Sequence, residues 1–576
     1  MWACCSWHHH RCCLSSPQGI VSGALISLKE DAELRIDTTW RQELLVALAV
    51  GTAGVAVAFT APIARRLGPR TVIALSALCF TAGSLCMALT SSYGMLLVGR
   101  ATVGIAIGCS SSVVPGYLAE LSPPAARGRI GALNVVMITG GQGLAGVVAG
   151  LLFSVPQAWR WMLGLGAVPA ILQLGCLGAL PRSPAWLQRM GREAEAEAIR
   201  ANMVRGSVRA GYLNLTPQPS ASEGSASDDS DSTRGGQSLS THQEPTLHPL
   251  VLKPGPCSTL RGICSHKLHR RALVVGSVLQ LLQQVAGINT VMYYSGQLMN
   301  AAGFNAHTST WLTAAVGALN CAGTVLGALL VDRVGRRRLL FSTGTLVVLA
   351  LVGMGAVLQH HGSLQPKLDH SLACAGLPAG QTWQPAPANS SCLAAPSCAD
   401  CLQSLNLAGS CTFWYNDATN VGMCAPVSAA PTCALPSAVH TQAGACGSPQ
   451  YNAWGWTVLA CVGVYLVVFA PGIGQLPWTI NGELHPHAGR DTALSFTTGW
   501  NWASNFVVSL TFLSFLKLGA ALAFSFYALC SALMLVYLAA RLPETKGVPL
   551  SQTPGLFRRQ RCCRSGGRPS SLGLRY

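Results

Sequence analysis

Runs of about 20 apolar residues follow one another along most of this chain, and an α-helix needs about that length to cross the hydrocarbon core of a bilayer. Inside that core every backbone polar group must be bonded within the protein, so such runs fold as helices. The sequence therefore predicts an all-α membrane protein. Eleven runs begin near residues 43, 71, 94, 130, 160, 271, 308, 339, 453, 491 and 519.

The charged residues support this class of protein. Only 10% of the residues are Asp, Glu, Lys or Arg, whereas soluble domains carry about 25%. The net charge of +17 comes from basic residues that recur in turns between the apolar runs, as at Arg65–Arg70 and Arg333–Arg338, rather than in one patch. This distribution follows the positive-inside rule. It indicates the lipid bilayer as a partner and argues against nucleic-acid binding.

A long polar segment divides the runs into two sets of six when the short apolar stretch Gly19–Leu28 is counted as the first. A similar basic turn follows the second and eighth spans, which indicates a repeated unit. We predict a bundle of two halves with nominally 12 transmembrane helices, the first of them truncated. The expected divisions are residues 1–181 (N-terminal half), 182–270 (cytoplasmic linker with a disordered Ser- and Asp-rich centre), 271–545 (C-terminal half), 359–452 (extracellular Cys-rich insertion within that half) and 546–576 (basic cytoplasmic tail).

The sixth apolar run contains side-chain amides, which cost free energy in lipid unless they are hydrogen-bonded or line a wet cavity. Gln280, Gln283 and Gln284 share one face of an ideal helix. Asn289 joins them only if the helix breaks, and Gly287 is the candidate break point. Amides beside a broken helix predict a binding site for a polyhydroxylated solute. The alternative is that they only hold neighbouring helices together.

The insertion at residues 359–452 carries Lys367 as its only Lys or Arg, so it should lie opposite the basic turns, outside the cell or in a lumen. Asn389 begins an Asn-Ser-Ser glycosylation acceptor. A Cys-x-x-Cys pair also suits zinc, but so many cysteines in an external loop favour disulfides, and we expect no metal and no cofactor. The expected disulfide cysteines are Cys374, Cys392, Cys398, Cys401, Cys411, Cys424, Cys433 and Cys446.

The chain shows no catalytic constellation and no Walker A run for binding nucleotide phosphates. The sequence therefore predicts neither an enzyme nor an ATP-driven pump. Amides at a helix break near the membrane midplane favour a secondary transporter.

Short motifs in a fixed order connect the chain to a known family. Gly99-Arg100, Pro115–Glu120, Pro477-Trp478 and Pro543–Thr545 resemble motifs of the sugar porter family of the major facilitator superfamily. The likeness extends over nearly the whole chain. It implies two six-helix halves that open a central site to one side of the membrane at a time.

Within that family, Ile138–Gln142 and Gly287–Ser295 are similar to the inositol transporters, as is the cysteine spacing of the insertion. The resemblance implies a secondary active or facilitative carrier of a polyol or sugar, above all myo-inositol, in the plasma or vacuolar membrane. It leaves open whether protons are a coupled partner. The expected substrate-binding residues are Gln142, Gln280, Gln283, Gln284, Asn289, Tyr293, Trp478, Asn501, Trp502 and Asn505.

Charged residues near the cytoplasmic ends of the spans are expected to act as latches. Ion pairs between the halves would hold an outward-facing state and break when the protein opens inward. The alternative is fixed surface pairing, worth about 0–1 kcal/mol. Arg100 differs because it lies inside a span and needs a counter-charge or carbonyl groups. The latch and ion-pair residues are Arg100, Glu120, Arg127, Asp332, Arg333, Arg337, Glu483, Arg490 and Glu544.

The chain departs from the family at its first helix. Family members carry an Asp where this chain has Pro17. The resemblance implies that, in proton-coupled relatives, this Asp is the partner of the arginine that corresponds to Arg100. Residues 1–18 complete the span poorly, so we expect either an incorrect gene model or a functional loss there. Arg65 and Pro69 likewise stand where the family has Asp and Arg in its basic turn.

Three other functions fit parts of the sequence. A hexose transporter needs the same kind of site. A non-transporting nutrient sensor would keep the fold without the coupling turn, although long cytoplasmic tails favour sensors and the tail here is short. A scaffold for extracellular adhesion needs no amides at the membrane midplane, so the cluster around Gln283 argues against it.

Overall fold

The fold is described from a computed structural model. It describes residues 19–29, 31, 34, 36, 38–122, 127–209, 263–265, 267–363, 367–368, 411–416, 421–426, 439–441, 449–485, 490–546 and 556–557. Within these ranges the chain is almost entirely helical, as the apolar runs predict.

The N-terminal half consists of helices joined by short turns. A short first helix precedes the long ones, as the sequence predicts. The helices are α1 (Gly19–Lys29), α2 (Thr39–Leu67), α3 (Pro69–Leu89), α4 (Tyr93–Leu121), α5 (Arg127–Leu152), α6 (Ala158–Leu165) and α7 (Ala167–Cys176), followed by α8 (Pro184–Arg189) and α9 (Glu193–Arg209) beyond the bundle.

The C-terminal half repeats this arrangement with more interruptions. Its helices are α10 (Lys267–Val285), α11 (Ile288–Tyr293), α12 (Ser295–Ala301), α13 (Ala306–Val334), α14 (Arg336–Ser363), α15 (Pro449–Phe469), a π-helical turn (Ala470–Gly474), α16 (Leu476–Leu484), α17 (Arg490–Leu518) and α18 (Ala520–Arg541).

Nine helical segments among the described residues are long and apolar enough to cross a membrane. Two more predicted spans are also helical but differ from this pattern. The span from Ala158 is broken after Leu165, because Pro169 has no N–H to donate to the Leu165 carbonyl. The span from Arg490 is 29 residues long but carries polar residues on the face that it turns toward the centre.

A small β-sheet lies in the insertion, and the sequence analysis did not predict it. Its strands are β1 (Lys367–Leu368), β2 (Cys411–Asn416), β3 (Val421–Pro426) and β4 (Val439–Thr441), in the spatial order β1-β3-β2-β4. β2 and β3 pair antiparallel, with Phe413 opposite Cys424. The signal for β2 was present as the aromatic run Phe413–Tyr415, a composition that strands favour.

The two halves meet along two seams at one end of the bundle. We call the end that carries the turns after α2 and α13 the basic end, and the opposite end the distal end. In the first seam α2 and α17 run antiparallel, and a Cβ added at Gly51 would lie 2.8 Å from the Phe506 ring. One added at Gly54 would lie 3.2 Å from Trp502 Cβ.

The second seam, between α5 and α13, is built from glycine. A Cβ at Gly146 would lie 2.7 Å from the Ala314 backbone, and one at Gly317 would lie 2.5 Å from Gly143 Cα. Small residues let helix backbones approach closely in a membrane. Both seams therefore close the distal end tightly.

The first seam does not continue to the basic end. The next positions in the same antiparallel register are Ala58 and Gly499. Ala58 is exposed, and no atom of the described residues lies within 4 Å of a Cβ added at Gly499. The bundle is thus closed at the distal end and parted toward the basic end.

The close approach of α2 and α4 generates a stability prediction. A Cβ at Gly108 would lie 2.3 Å from the Ala53 carbonyl oxygen, so Gly108→Ala should lower the free energy of unfolding by about 1–3 kcal/mol through overpacking. Gly116 lies on the same helix with nothing within 4 Å of its added Cβ. Gly116→Ala is the matched control and should be neutral or stabilising. Thermal unfolding in detergent measures both, and an equal effect of the two substitutions would contradict the packing argument.

Candidate functional site

The helix that carries the amides is broken at the position the sequence indicates. α10 ends at Val285, and Gly287 adopts a left-handed conformation with φ of +86° before α11 begins. The carbonyl groups at the break are used. Thr290 Oγ1 donates to the Gly287 oxygen at 2.6 Å, and Tyr465 donates its hydroxyl to the Ala286 oxygen at 2.6 Å. The predicted break at Gly287 is confirmed.

The break brings the amides into one network. Asn289 Nδ2 donates to Gln284 Oε1 at 2.6 Å, and Gln284 Nε2 donates to Asn501 Oδ1 at 3.1 Å. Asn501 Nδ2 donates in turn to Gln280 Oε1 at 2.8 Å and to Gln283 Oε1 at 2.9 Å. Helices α10, α11 and α17 thus contribute to a single hydrogen-bonded cluster, which we call the amide network.

A second broken helix completes the network. Pro477 has no N–H to donate to Ile473, four residues earlier, so that carbonyl is left free. Gln283 Nε2 approaches the Ile473 oxygen at 3.3 Å and the Gly474 oxygen at 2.6 Å. Trp478 Nε1 donates to Gln283 Oε1 at 3.1 Å. The interruption of this span therefore supplies acceptors for Gln283 at the centre of the site.

Tyr293 and Asn505 lie one level further toward the distal end. Asn505 Nδ2 donates to the Tyr293 hydroxyl at 3.4 Å, and Ser509 Oγ donates to Asn505 Oδ1 at 3.0 Å. Tyr294, the next residue, donates its hydroxyl to the Ser509 carbonyl at 2.7 Å. These bonds join the start of α12 to α17.

Three groups at the centre have hydrogen-bonding capacity that the described part of the chain does not use. Gln280 Nε2 and Trp502 Nε1 are buried there without an acceptor. Gln142, on α5 of the other half, is buried beside Gly19 and Gly317, and no hydrogen bond of its amide joins it to the amide network. An unsatisfied buried donor costs about 1–3 kcal/mol, so a ligand that supplies acceptors here would recover that free energy.

Arg100 lies in the N-terminal half with 3% of its surface exposed. Its Nε donates to the Leu45 carbonyl at 3.0 Å and its Nη2 to the Val46 carbonyl at 3.3 Å. Carbonyl groups thus meet part of the requirement that the sequence analysis stated for this arginine. Pro17, at the position of the family's Asp, lies outside the described residues.

Comparison with known proteins identifies the family. The family described as "Sugar (and other) transporter" matches residues 18–374 and 420–557. The chain belongs to the sugar transporter family. The transporter is 35% identical over 565 residues to the human proton myo-inositol cotransporter. The match covers 94% of this chain and 80% of that relative. It is 31% identical to the probable inositol transporter 2 of Arabidopsis thaliana, over 94% of this chain and 88% of the relative.

Solved structures support the same fold. The xylose transporter XylE from E. coli, in a partially occluded inward-open conformation, matches with a TM-score of 0.59 at 18% identity and covers 94% of this chain and 98% of that one. At this identity the likeness concerns the fold alone. The family, the two-halves helical fold and the integral, multi-pass character of the transporter, all inferred from the sequence, are confirmed.

The basic end of the C-terminal half carries an ion-pair cluster. Arg336 Nη2 lies 3.3 Å from Glu483 Oε1, and Thr545 Oγ1 donates to Glu483 Oε2 at 2.6 Å. Glu544 accepts from the backbone N–H of Arg336 at 3.2 Å and of Arg337 at 3.0 Å. The carboxylate therefore caps the first turn of α14, where the helix dipole favours negative charge.

At the basic end of the N-terminal half, the described contacts of the turn after α2 include the packing of a tryptophan ring rather than an ion-pair cluster. Ser183 Oγ donates to a Glu120 carboxylate oxygen. Trp186 packs against Gly68, where an added Cβ would lie 3.0 Å from its ring, and its Nε1 donates to the Arg65 carbonyl at 3.2 Å. A tryptophan thus covers the turn that carries charged pairs in the other half.

The remaining predicted latch residues show bonds within one half or none described. Arg337 Nη2 donates to the Ala539 carbonyl at 2.8 Å, and Lys546 Nζ to the Arg333 carbonyl at 3.1 Å. Within the described ranges Arg490 Nε is buried without an acceptor. The side chains of Arg127 and Asp332 lie outside the described residues. In this state the described bonds of Glu120, Glu483 and Glu544 do not join the halves.

Two of the eight insertion cysteines lie on strands, Cys411 on β2 and Cys424 on β3. The other six and the glycosylation acceptor Asn389 fall outside the described residues. The disulfides and the glycosylation therefore stay predictions.

His485 follows α16 at the basic end and is 2% exposed. Its Nε2 lies 3.3 Å from Asn481 Oδ1. Burial, together with the positive charge of Arg490 and the nearby His269, lowers the pKa of His485 to about 4. The folded transporter therefore holds this imidazole neutral at pH values where a solvated one is charged.

This lowered pKa predicts an acid-sensitive stability. The unfolded chain takes up a proton near pH 6.5 and the folded chain only near pH 4, so stability falls as pH drops between these values, by up to about 1.4 kcal/mol per pH unit. His485→Gln should flatten the pH dependence of unfolding in detergent over that window. Replacement of the exposed His307 by Gln is the control and should leave the slope as it is. An unchanged slope in His485→Gln would contradict the prediction.

Proposed function

We propose that this transporter carries myo-inositol across the membrane by alternating access. The observation that carries the proposal is the amide network, which lies in the C-terminal half on α10, α11 and on α17, the helix that forms the first seam with α2. The bundle around it is closed at one end and parted at the other. The relatives named for inositol support the choice of solute.

The chemistry of the network suits a neutral polyol. Myo-inositol carries a hydroxyl on every ring carbon, and each hydroxyl both donates and accepts. A side-chain amide also does both, so Gln280, Gln283, Gln284 and Asn289 can exchange bonds among themselves for bonds to the ring. Trp478 and Trp502 offer aromatic faces to its C–H edges. Gln142 would contact the solute from the N-terminal half, which makes closure of the halves depend on bound solute.

The orientation follows from charge. Because basic turns stay on the cytoplasmic side, we assign the basic end to the cytoplasm and the distal end to the outside, so this structure is the inward-open state. In the outward-facing state the basic ends of the halves would approach each other. Glu120, Arg127 and Arg490 would then meet partners across the gap and act as latches.

Two coupling modes fit the site, proton symport and facilitated diffusion. The human relative is named a proton cotransporter, and Arg100 is the buried charge that would take part in symport here. We place the transporter in the plasma membrane or a vacuolar membrane. A hexose is the second candidate solute, since it presents a similar set of hydroxyls.

Uptake into proteoliposomes tests the function. Labelled myo-inositol should accumulate and labelled glucose should compete weakly, with the assay run at two external pH values. Faster uptake at the acidic value together with alkalinisation of the medium identifies symport, and pH-independent equilibration identifies facilitated diffusion. Glucose uptake that exceeds inositol uptake would transfer the assignment to the hexose class.

Single substitutions in the amide network should weaken solute binding. Gln283→Ala, Gln284→Ala and Asn289→Ala each remove a buried hydrogen bond, which should raise the dissociation constant for myo-inositol about ten- to hundredfold. Binding to purified transporter in detergent measures this directly. Gln173→Ala removes an equally buried amide outside the network and should bind normally. Unchanged affinity in all three network variants would refute the site.

A further inference from the structure

Two consecutive residues at the start of α2 reach across to the other half. Gln42 is 5% exposed and Glu43 is 3% exposed, and both lie at the distal end. Gln297 Nε2 on α12 donates to Gln42 Oε1 at 3.2 Å. Ser514 on α17 donates to Glu43 twice, from its backbone N–H at 2.7 Å and from its hydroxyl at 2.8 Å.

These bonds differ from the rest of the seams. Elsewhere the halves approach mainly through glycine, alanine and aromatic rings. The described bond across the second seam is a weak sulfur one, from Cys321 Sγ to the Val136 carbonyl at 3.8 Å. A backbone N–H in the last turn of a helix normally donates to the carbonyl four residues earlier. The Ser514 N–H also reaches a side chain of the other half at 2.7 Å. A carboxylate acceptor makes such a bond stronger than one between neutral groups.

The two C-terminal elements that are held in this way both lead to the amide network. α12 follows Asn289 by way of α11 and Tyr294. α17 carries Asn501 and Asn505. Neighbouring residues on a helix point about 100° apart, so Gln42 and Glu43 each bind a different one of these two elements.

We propose that Gln42 and Glu43 form a clasp that closes the distal end, and that their bonds to α12 and α17 must break each time the transporter opens there. The proposal rests on the proposed transport cycle and assigns both residues as positioning residues for it. Solute bound at the network acts on α17 and on α11, which leads directly into α12, so it acts on the segments that the clasp holds.

The chemistry of Glu43 suits a bond that must open. A buried carboxylate has lost its hydration, and the two hydrogen bonds from Ser514 compensate for part of that loss. When the distal end parts, water replaces Ser514 as donor. The difference between the two states is therefore small, as a cycle that passes through both requires.

The register of the first seam shows what the clasp controls. Glu43 with Ser514, Gly51 with Phe506 and Gly54 with Trp502 form an antiparallel series. Ala58 and Gly499 continue that series but stand apart here. Rocking of the halves would close this pair as it opens the clasp.

Two cysteine reporters follow the two ends of the bundle. Thr310→Cys places a thiol on α13 at a position that is now fully buried against Gly23 of α1. Ala58→Cys places one in the parted region. The full-length transporter in nanodiscs is reacted with an impermeant maleimide, and mass spectrometry measures the labelling rate of each reporter peptide, which separates it from native cysteines.

Glu43→Ala and Gln42→Ala should shift the population toward the outward-facing state. Loss of the Glu43 bonds should raise the labelling rate at the Thr310 reporter about ten- to hundredfold and lower it at the Ala58 reporter. Thr52→Ala is the matched control, because Thr52 on the same helix bonds to its own helix at 2.9 Å. It should move neither rate.

Opposite changes in the two labelling rates indicate a shift between states. A general loosening of the bundle would raise both labelling rates. Unchanged rates in both clasp variants, or a rise at both reporters, would overturn the proposal. The labelling needs no solute and no transport. If the unmodified chain fails to carry myo-inositol, the proposed function fails while the reporters still decide whether the clasp holds the distal end.

Discussion

A carbonyl group without a helical partner stands at the centre of this transporter. Pro477 cannot donate to Ile473, and Gln283 approaches the free oxygen at 3.3 Å. At the break at Gly287 a side chain from another helix likewise satisfies a carbonyl, because the Tyr465 hydroxyl donates to the Ala286 oxygen at 2.6 Å. Backbone groups inside a membrane must be satisfied by the protein itself, so each interruption of a helix requires a polar side chain from another helix. The amide network exists where two interruptions meet, and solute chemistry depends on it.

Local pattern was sufficient for the elements and for one side of the site. Apolar runs gave the spans, the conformational freedom of Gly287 gave the break, and helical spacing placed Gln280, Gln283 and Gln284 on one face. The contacts of Glu43 were not predictable in this way, because Ser514 is far away in sequence and only the antiparallel register of α2 and α17 brings it near. A signal was present, since an acidic residue at the start of an apolar run is rare in a membrane. The small sheet was not predictable in the same way, because its strands are only two to six residues long and show no sustained alternation of apolar and polar residues.

The turn at the basic end is stabilised by different interactions in the two halves, although the two turns are related in sequence. In the C-terminal half Glu544 caps α14 by accepting two backbone N–H groups. In the N-terminal half α3 begins at Pro69, which has no N–H to cap, and Arg182 stands in the turn that corresponds to Glu544. Arg182 lies 3.8 Å from Glu195 on α9, with both side chains about half exposed. Pro69 thus removes one of the two N–H groups that such a cap would bond. Trp186 on Gly68 replaces charge by ring packing, which salt does not screen.

The insertion with its small sheet leaves the bundle at the end of α14 and returns at the start of α15. Both attachment points belong to the C-terminal half and to its distal end. Rocking of the halves therefore moves both ends of the insertion together with the C-terminal half. A molecule that bound the insertion alone would move with the C-terminal half. One that also bound α2 would link the two halves and oppose their rocking. The insertion is thus a surface by which a binder could anchor the transporter, and one from which a larger binder could block the rocking of the halves.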